Sequence, residues 1–148
     1  MTIRQYSILL SRISLFVIYF WFGLLKVIGL SPASGLVEEL FGKTLAHIPL
    51  IKLISPDFFV VSFGLFEVII GILFILPGKE KWAVRLFFAH IITTSLPLFF
   101  LANSVWQKLL VPTLEGQYII KNLALIACAL NIMSSVPREF RKESEQII

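Results

Sequence analysis

Glu67 is the residue whose type and position most strongly suggest chemistry in this chain. It is the lone charge in the apolar run of residues 58–76, which at about 1.5 Å per residue matches the ~30 Å hydrocarbon core of a bilayer. An ionisable group near the bilayer midplane is costly and usually marks a function. The sequence therefore predicts an intramembrane polar site centred on this carboxylate.

Helical phase indicates which side chains would share a face with this site. Gly64 and Gly71 lie three and four residues from Glu67, and small residues there permit close contact with another helix. Four inward-facing polar stripes, one in each apolar run, predict a polar core with Tyr19, Glu67 and His90 at similar depth. The stripes of the other three runs consist of Arg12, Phe16, Tyr19, Gly23 and Lys26, then His90, Thr93, Thr94 and Pro97, then Gln117, Lys121, Cys128, Asn131 and Ser135.

Two interpretations of this polar core stay open. In a structural role, inward hydrogen bonds would hold the helices in register, because unsatisfied polar groups are expensive in lipid. In a chemical role, a midplane acid facing a histidine and a tyrosine could transfer protons or bind the polar head of a lipophilic molecule such as a quinone. The side chains available for either role are Tyr19, Glu67, His90 and Asn131.

Two lysines could compensate the charge of Glu67. Lys26, near the end of the first span, and Lys121, near the start of the fourth, both lie nearer the outer face of the membrane. Either lysine could pair with Glu67 or extend its ammonium group to the lipid headgroups, and the headgroup position is favoured for Lys26. Lys121, about one turn into the last span, is the preferred partner for Glu67. The sequence leaves the charge state of Glu67 open.

Composition assigns the chain to the polytopic membrane proteins. Its 148 residues are 57% hydrophobic and 15% charged, and the mean hydropathy is +0.90, which leaves too little polar surface for a soluble globule. Spans are predicted at about residues 7–28, 58–76, 83–101 and 117–135. They indicate a single all-α domain over residues 1–148, a four-helix membrane bundle.

The connections between the spans support this arrangement. Ser55-Pro56-Asp57 predicts the start of the second span, and Pro77-Gly78 predicts its end, so the second and third spans should be antiparallel neighbours. After Ser31-Pro32, the first connection predicts a short amphipathic helix on the membrane surface. This helix could cover the bundle as a lid or simply pack on the ends of the spans. Its apolar positions are Leu36, Val37, Leu40 and Phe41, opposite Glu38, Glu39 and Lys43.

The distribution of arginine and lysine predicts the orientation. Cytoplasmic segments carry the excess of these residues, and the side that holds both termini has eight of the thirteen. We therefore expect a multi-pass inner-membrane protein with both termini in the cytoplasm, whose first span stays as an uncleaved anchor. The eight residues are Arg4, Arg12, Lys79, Lys81, Arg85, Arg138, Arg141 and Lys142.

Several kinds of chemistry lack support in the sequence. The single cysteine, Cys128, cannot form an intramolecular disulfide, and two histidines, His47 and His90, do not predict a metal or haem site. No nucleotide-binding or triad motif is present, and the formal charge of +4 reflects orientation rather than a nucleic-acid partner. Whether the chain is an enzyme stays open.

Three segments carry a family resemblance: Phe16–Lys26 (FVIYFWFGLLK), Gly64-x-x-Glu67-x-x-x-Gly71 followed by Pro77-Gly78, and Gly116–Leu125 (GQYIIKNLAL). Together, and in span order over nearly the whole chain, they resemble the DoxX-like superfamily, most closely its YkgB/RclC-type inner-membrane branch. The resemblance implies a four-helix membrane bundle. It also implies a role among subunits of quinone and sulfur redox chemistry, membrane chaperones or stress-response proteins. The polar positions of the branch match Lys26, Glu67 and Lys121, and none is implied to be catalytic.

These observations lead to one preferred function and two alternatives. The preferred function is a subunit or accessory in redox or envelope-stress physiology, with an intramembrane site that binds a quinone or lipid. The first alternative is a non-enzymatic scaffold or chaperone-like protein that recognises another membrane protein. The second is a small proton or ion pathway through the polar stripes. The partners expected are the lipid bilayer and another membrane protein, with no nucleic acid.

Overall fold

The computed structural model describes residues 2–44 and 54–136, and within these ranges the chain is almost entirely helical. Four segments are long and apolar enough to cross a membrane, which confirms the predicted all-α four-helix bundle. A two-stranded antiparallel hairpin precedes the last helix. The elements are α1 (Ile3–Val27), α2 (Ser34–Lys43), α3 (Pro56–Ile75), α4 (Glu80–Ser95), α5 (Pro97–Phe100), α6 (Ala102–Val105), β1 (Trp106–Lys108), β2 (Val111–Pro112) and α7 (Leu114–Met133).

Three of the four spans begin a few residues before their predicted apolar runs because a polar residue caps the first turn of the helix. The Thr2 side chain accepts a hydrogen bond from the backbone N–H of Gln5, and the side-chain oxygen of Gln5 accepts one from the backbone N–H of Thr2. At the starts of α3 and α7, the side-chain oxygens of Ser55 and Thr113 accept a hydrogen bond from a backbone N–H of the first turn. Each cap satisfies a backbone N–H that the first helical turn leaves without a partner. The predicted start of the second span at Ser55 is therefore confirmed.

The third span, predicted at residues 83–101, is not one continuous helix. The helix α4 ends at Ser95, and a new short helix, α5, begins at Pro97. Proline has no backbone N–H and its ring clashes with the preceding turn, so an α-helix cannot run through it undisturbed. Pro97 cannot donate to the carbonyl of Thr93, which instead accepts from the backbone N–H of Leu96 at 3.2 Å.

Glycine residues bring α1 and α3 into direct backbone contact. A Cβ at Gly23 would lie 2.7 Å from the carbonyl oxygen of Gly64, and a Cβ at Gly71 would lie 2.8 Å from the backbone nitrogen of Phe20. Gly71 faces the earlier part of α1 and Gly64 the later part, so the two helices are antiparallel. Small residues at such contacts let membrane helices approach closely. The predicted role of Gly64 and Gly71 is confirmed.

Arg12 of α1 closes the other end of this helix pair. Arg12 Nε donates to the carbonyl of Phe74 at 2.9 Å and one Nη donates to the carbonyl of Leu76 at 3.1 Å. Its other Nη lies 2.7 Å from a carboxylate oxygen of Glu80, at the start of α4. A cation at a helix C-terminus satisfies orphan carbonyls and opposes the helix dipole. Arg12 therefore fixes the tight turn at Gly78, whose φ is +75°.

The amphipathic helix predicted in the first connection is confirmed as α2. Leu40 and Phe41 are buried, and the Phe41 ring packs 4.8 Å from the ring of Phe59 in α3. Glu39 accepts hydrogen bonds from Lys43 and from Ser104 near the end of α6. These bonds hold the pKa of the Glu39 carboxyl below its ordinary value, the contact with Lys43 having the larger effect. The helix α2 thus packs at the same end of the bundle as α6.

A buried hydrophobic core lies between α1, α3, α4 and α7. Its fully buried large side chains include Leu15, Ile70, Phe74 and Phe87. The last helix contributes through small or branched residues of its second half, such as Ala129 and Ile132, since α7 approaches the core there. The rest of each span exposes apolar side chains, as expected where lipid is the surrounding solvent.

Candidate intramembrane polar site

Four ionisable or hydroxyl side chains form one continuous hydrogen-bonded chain inside the bundle. Lys26 Nζ lies 2.6 Å from one carboxylate oxygen of Glu67, and His90 Nε2 lies 2.9 Å from the other. The hydroxyl of Tyr19 lies 3.1 Å from His90 Nδ1. All four residues are 4–5% exposed. We call Lys26, Glu67, His90 and Tyr19 the buried tetrad.

The glycine contact between α1 and α3 positions the charged half of the tetrad. A Cβ at Gly64 would lie 2.7 Å from the Cβ of Lys26, and a Cβ at Gly23 would lie 2.9 Å from the Cβ of Glu67. Each glycine therefore makes room for the charged residue of the opposite helix. Because the helix backbones touch, the ammonium and carboxylate meet at hydrogen-bonding distance without reaching toward the headgroups.

The hydrogen-bond partners assign the proton positions on His90. An ionised Glu67 accepts from Nε2–H, so in the neutral imidazole Nδ1 is an acceptor and the Tyr19 hydroxyl donates to it. When His90 carries a second proton, Nδ1–H donates to the tyrosine oxygen instead, and the hydroxyl hydrogen turns away from the histidine. The contact between Tyr19 and His90 can therefore form with either side chain as the donor.

Aromatic rings enclose the histidine end of the tetrad. The ring of Phe63 stacks on His90 at 4.9 Å, and the ring of Tyr19 meets it edge-on at 5.0 Å. Phe87 packs 5.5 Å from Tyr19. From Phe63 the series of rings continues through Phe59 to Phe41 of α2. An apolar enclosure strengthens the electrostatic interactions inside it.

The protein satisfies the polar atoms of this site. Across residues 2–44 and 54–136, every buried side-chain nitrogen or oxygen has a hydrogen-bond partner. A buried ion pair recovers its desolvation cost only when its geometry and remaining hydrogen bonds are good. The tetrad meets this requirement because Glu67 accepts at both oxygens. Removing any one member would leave another buried and unpaired.

The helical phase correctly brings together Tyr19, Glu67 and His90, but the preference for Lys121 over Lys26 as the cation is wrong. Lys26 pairs with Glu67 and is buried, so its ammonium does not reach the headgroups as expected. Lys121, the preferred partner, is exposed, and its ammonium lies 5.5 Å from the ring of Tyr118. That position lies toward the start of α7 and away from the tetrad.

The inward polar stripe predicted for the fourth span is wrong in its first half, whereas Cys128 and Asn131 of its second half are half-buried against the other helices. Gln117 and Lys121 are exposed, and Gly116 and Ile119 are buried in their place. A Cβ at Gly116 would collide with the carbonyl oxygen of Val105, so the backbone of α7 touches the end of α6 there. This contact fixes the rotation at the start of α7 and turns Gln117 and Lys121 outward.

Asn131 lies in a separate polar contact. Its amide donates to the hydroxyls of Ser7 and Ser11, at 2.9 Å each. The predicted hydrogen bonding of Asn131 with the tetrad is therefore not observed, because Asn131 faces the early part of α1 rather than α3. It ties the end of α7 to α1. The other histidine of the chain, His47 of the first connection, lies outside the described residues.

A pair of matching motifs could have identified Lys26. The segments Gly23-x-x-Lys26 and Gly64-x-x-Glu67 place a glycine three residues before opposite charges. In two antiparallel helices that touch at their glycines, this spacing puts each charge against the glycine of the other helix. The headgroup position is expected for Lys26 only from the length and flexibility of its side chain.

Comparisons of the chain with protein-family models, curated proteins and solved structures found no match. An assignment of function therefore rests on the geometry of the tetrad. In the described ranges, no three His, Cys, Asp or Glu side chains are grouped to hold a metal ion. The groups suited to a ligand are the Tyr19 hydroxyl and the His90 imidazole, which can each donate or accept a hydrogen bond.

Proposed function

We propose that this chain is a DoxX-like inner-membrane protein that acts with a partner in redox or envelope-stress physiology. Its buried tetrad binds the polar head of a lipophilic molecule, a quinone or a lipid. One observation carries the proposal: Lys26, Glu67, His90 and Tyr19 form an unbroken hydrogen-bonded chain across three spans. Intramembrane ionisable groups are costly and usually functional.

The tetrad suits a ligand that carries carbonyl or hydroxyl oxygens on an apolar ring. When both ring nitrogens of His90 carry protons, Nδ1–H donates to Tyr19 and the Tyr19 hydroxyl can donate to such an oxygen. The carboxylate of Glu67, which accepts from Nε2–H, stabilises the positive charge of the imidazole. The ring of Phe63, which is half-buried and stacks on His90, offers an apolar face beside these donors. Reduction of a quinone needs electrons as well as protons, and a partner protein supplies the electrons in this proposal.

Mass spectrometry of copurifying small molecules tests the proposal. Wild-type protein, Glu67→Gln and Lys121→Met are extracted gently into lipid discs and their bound molecules compared. We expect one quinone or lipid to be enriched with wild type and with Lys121→Met, and lost with Glu67→Gln. Equal recovery from all three folded proteins would contradict the proposal.

A scaffold or chaperone-like role is the second candidate, because the protein itself satisfies the polar atoms of the tetrad. In this role the hydrogen-bonded chain holds α1, α3 and α4 in register, and the spans recognise another membrane protein. Crosslinking in native membranes should then recover a reproducible partner whose yield falls with Glu67→Gln. Failure to recover a partner, together with a copurifying ligand, would exclude this candidate.

The proposed orientation places both termini in the cytoplasm. Arg4 donates to the carbonyl of Ser134, so the start of α1 and the end of α7 lie together. Lys79 lies in the α3–α4 turn and Lys81 and Arg85 in the first two turns of α4, which Arg12 joins to the same end of α1. This clustering of cations supports a cytoplasmic side. Reporter fusions after residue 136 and within the 106–112 hairpin should show opposite locations.

A further inference from the structure

The hairpin between α6 and α7 presents two leucines at its tip. The strands Trp106–Lys108 and Val111–Pro112 pair in an antiparallel manner, and the turn between them is Leu109-Leu110. The two leucines are 89% and 81% exposed. Packing within the chain therefore does not account for apolar residues at this tip.

The tip is also strained at one of these leucines. Leu110 has a φ of +60°, the left-handed conformation that glycine and asparagine adopt most readily. In the described part of the chain it is the one residue other than glycine with positive φ. A polar turn residue would relieve this strain. An exposed leucine at such a position indicates that its apolar side chain has a use outside the chain.

The residues around the tip have the chemistry of a membrane interface. Trp106 precedes the turn and its indole N–H donates to the carbonyl of Leu98 at 3.3 Å, so the ring is tied back to α5. Lys108 is exposed directly before the two leucines. The four side chains line a shallow open depression of about 350 Å³. Tryptophan at the headgroup level and lysine beside apolar residues are typical of segments that lie in the interface.

The fold places the hairpin beside the bilayer. It follows the span Glu80–Phe100 and leads into the span Leu114–Met133. Ser104, two residues before the hairpin, donates to Glu39 of the amphipathic helix α2. The hairpin and α2 therefore lie at the same end of the bundle. The exposed apolar surface of the spans continues at Leu114, the first residue of α7.

We propose that the hairpin inserts Leu109 and Leu110 into the lipid leaflet on the side of α2, with the ammonium of Lys108 at the phosphate level. The occupant of this surface is phospholipid, because the adjoining spans already face lipid. The anchor fixes the broken end of the third span and the start of α7. This inference goes beyond the proposed function and does not depend on the buried tetrad.

Depth-dependent quenching tests the insertion. Leu109→Cys in a Cys128→Ala background is labelled with an environment-sensitive fluorophore and reconstituted into phosphatidylcholine–phosphatidylglycerol vesicles. We expect strong quenching by lipids that carry a spin label near the headgroup and weak quenching by aqueous iodide. Glu38→Cys, on the exposed face of α2 at the same end, is the control that iodide should quench. Strong iodide quenching of the hairpin label as well would overturn the proposal.

A second variant separates insertion from turn geometry. Leu110→Asn suits the left-handed backbone but removes the apolar side chain. In that variant we expect the label at position 109 to lose most of its lipid quenching and gain iodide quenching severalfold. Unchanged lipid quenching would overturn the role of Leu110. Protection from both quenchers that disappears when the protein is diluted in lipid would assign the surface to a second copy, and would also overturn the proposal.

Discussion

Two polar regions of this molecule each contain a lysine within an apolar span, but the fold buries one of these lysines and exposes the other. Lys26 of α1 is buried against Glu67, whereas Lys121 of α7 is exposed beside Tyr118. Both lysines lie within apolar spans near the same end of the bundle. The difference is that a glycine contact brings Lys26 to the carboxylate, while another glycine contact, at Gly116, turns Lys121 outward. In a membrane, close backbone contact decides which polar residue is buried.

Replacing each lysine by methionine should give the largest contrast between the two regions. Lys26→Met leaves the buried carboxylate of Glu67 without its cation, and we expect it to lower the free energy of unfolding by about 3–5 kcal/mol. Lys121→Met should change the free energy of unfolding by less than about 0.5 kcal/mol, as is usual for exposed positions. Reversible unfolding in lipid bicelles measures both. Equal losses would show that the two lysines are not in different environments.

Adding a methyl group where α1 and α3 touch should have the next largest effect on the free energy of unfolding. The Cβ of Gly64→Ala would lie 2.7 Å from the carbonyl oxygen of Gly23, and backbone atoms cannot move aside cheaply. We expect a loss of about 3 kcal/mol in the free energy of unfolding. Gly42→Ala is the matched control, because a Cβ there has no atom within 4 Å. The comparison would fail if both alanines were tolerated equally.

Removing one hydroxyl should sharpen the comparison at the uncharged end of the tetrad. Tyr19→Phe keeps the ring between Phe74 and Phe87 but leaves His90 Nδ1 buried without a partner. We expect a loss of about 1–2 kcal/mol in the free energy of unfolding. Tyr118→Phe, at an exposed position of α7, should have almost no effect. If Tyr19→Phe left the free energy of unfolding unchanged, the Tyr19 hydroxyl would not contribute to the tetrad.

The smallest expected effect on stability is pH-dependent and concerns Glu39 of α2, which lies outside the spans. Hydrogen bonds from Lys43 and Ser104 lower the pKa of Glu39 from its ordinary 4.5. A carboxyl whose folded-state pKa is lowered stabilises the fold above the unfolded-state pKa, and this contribution is lost as the pH falls through the folded-state value. Wild type should therefore exceed Glu39→Gln slightly in stability at pH 7, and the gap should close in acid. Glu38→Gln controls for the loss of one charge on α2, and a gap that widens in acid would contradict the assignment.

Much of the fold was predictable, because lipid imposes strong rules on a sequence. Apolar runs of sufficient length identified the four spans, and Ser55-Pro56-Asp57 and Pro77-Gly78 identified the ends of α3. The break at Pro97 and the hairpin at Leu109-Leu110 were not identified. The first lies inside an apolar run that still reads as one span, and the second lacks the glycine or asparagine that usually marks a tight turn.

The site was predictable in part. Tyr19, Glu67 and His90 share inward faces, and helical phase is enough to bring them together. The choice between Lys26 and Lys121 depends on which helix pair makes backbone contact, and hydrophobicity does not decide this because every face of a membrane helix is largely apolar. The rotation of α7 depends likewise on Gly116 against Val105. Such contacts are visible only once the helices are placed.

A double-mutant cycle tests most directly that Lys26 and Glu67, and not Lys121 and Glu67, form the buried pair. The free energy of unfolding in lipid bicelles is measured for Lys26→Met, Lys121→Met, Glu67→Gln and the two double variants. We predict a coupling energy of about 1–3 kcal/mol between Lys26 and Glu67, and additivity within about 0.5 kcal/mol between Lys121 and Glu67. Additive effects of Lys26 and Glu67, or coupling of Glu67 with Lys121, would contradict the account.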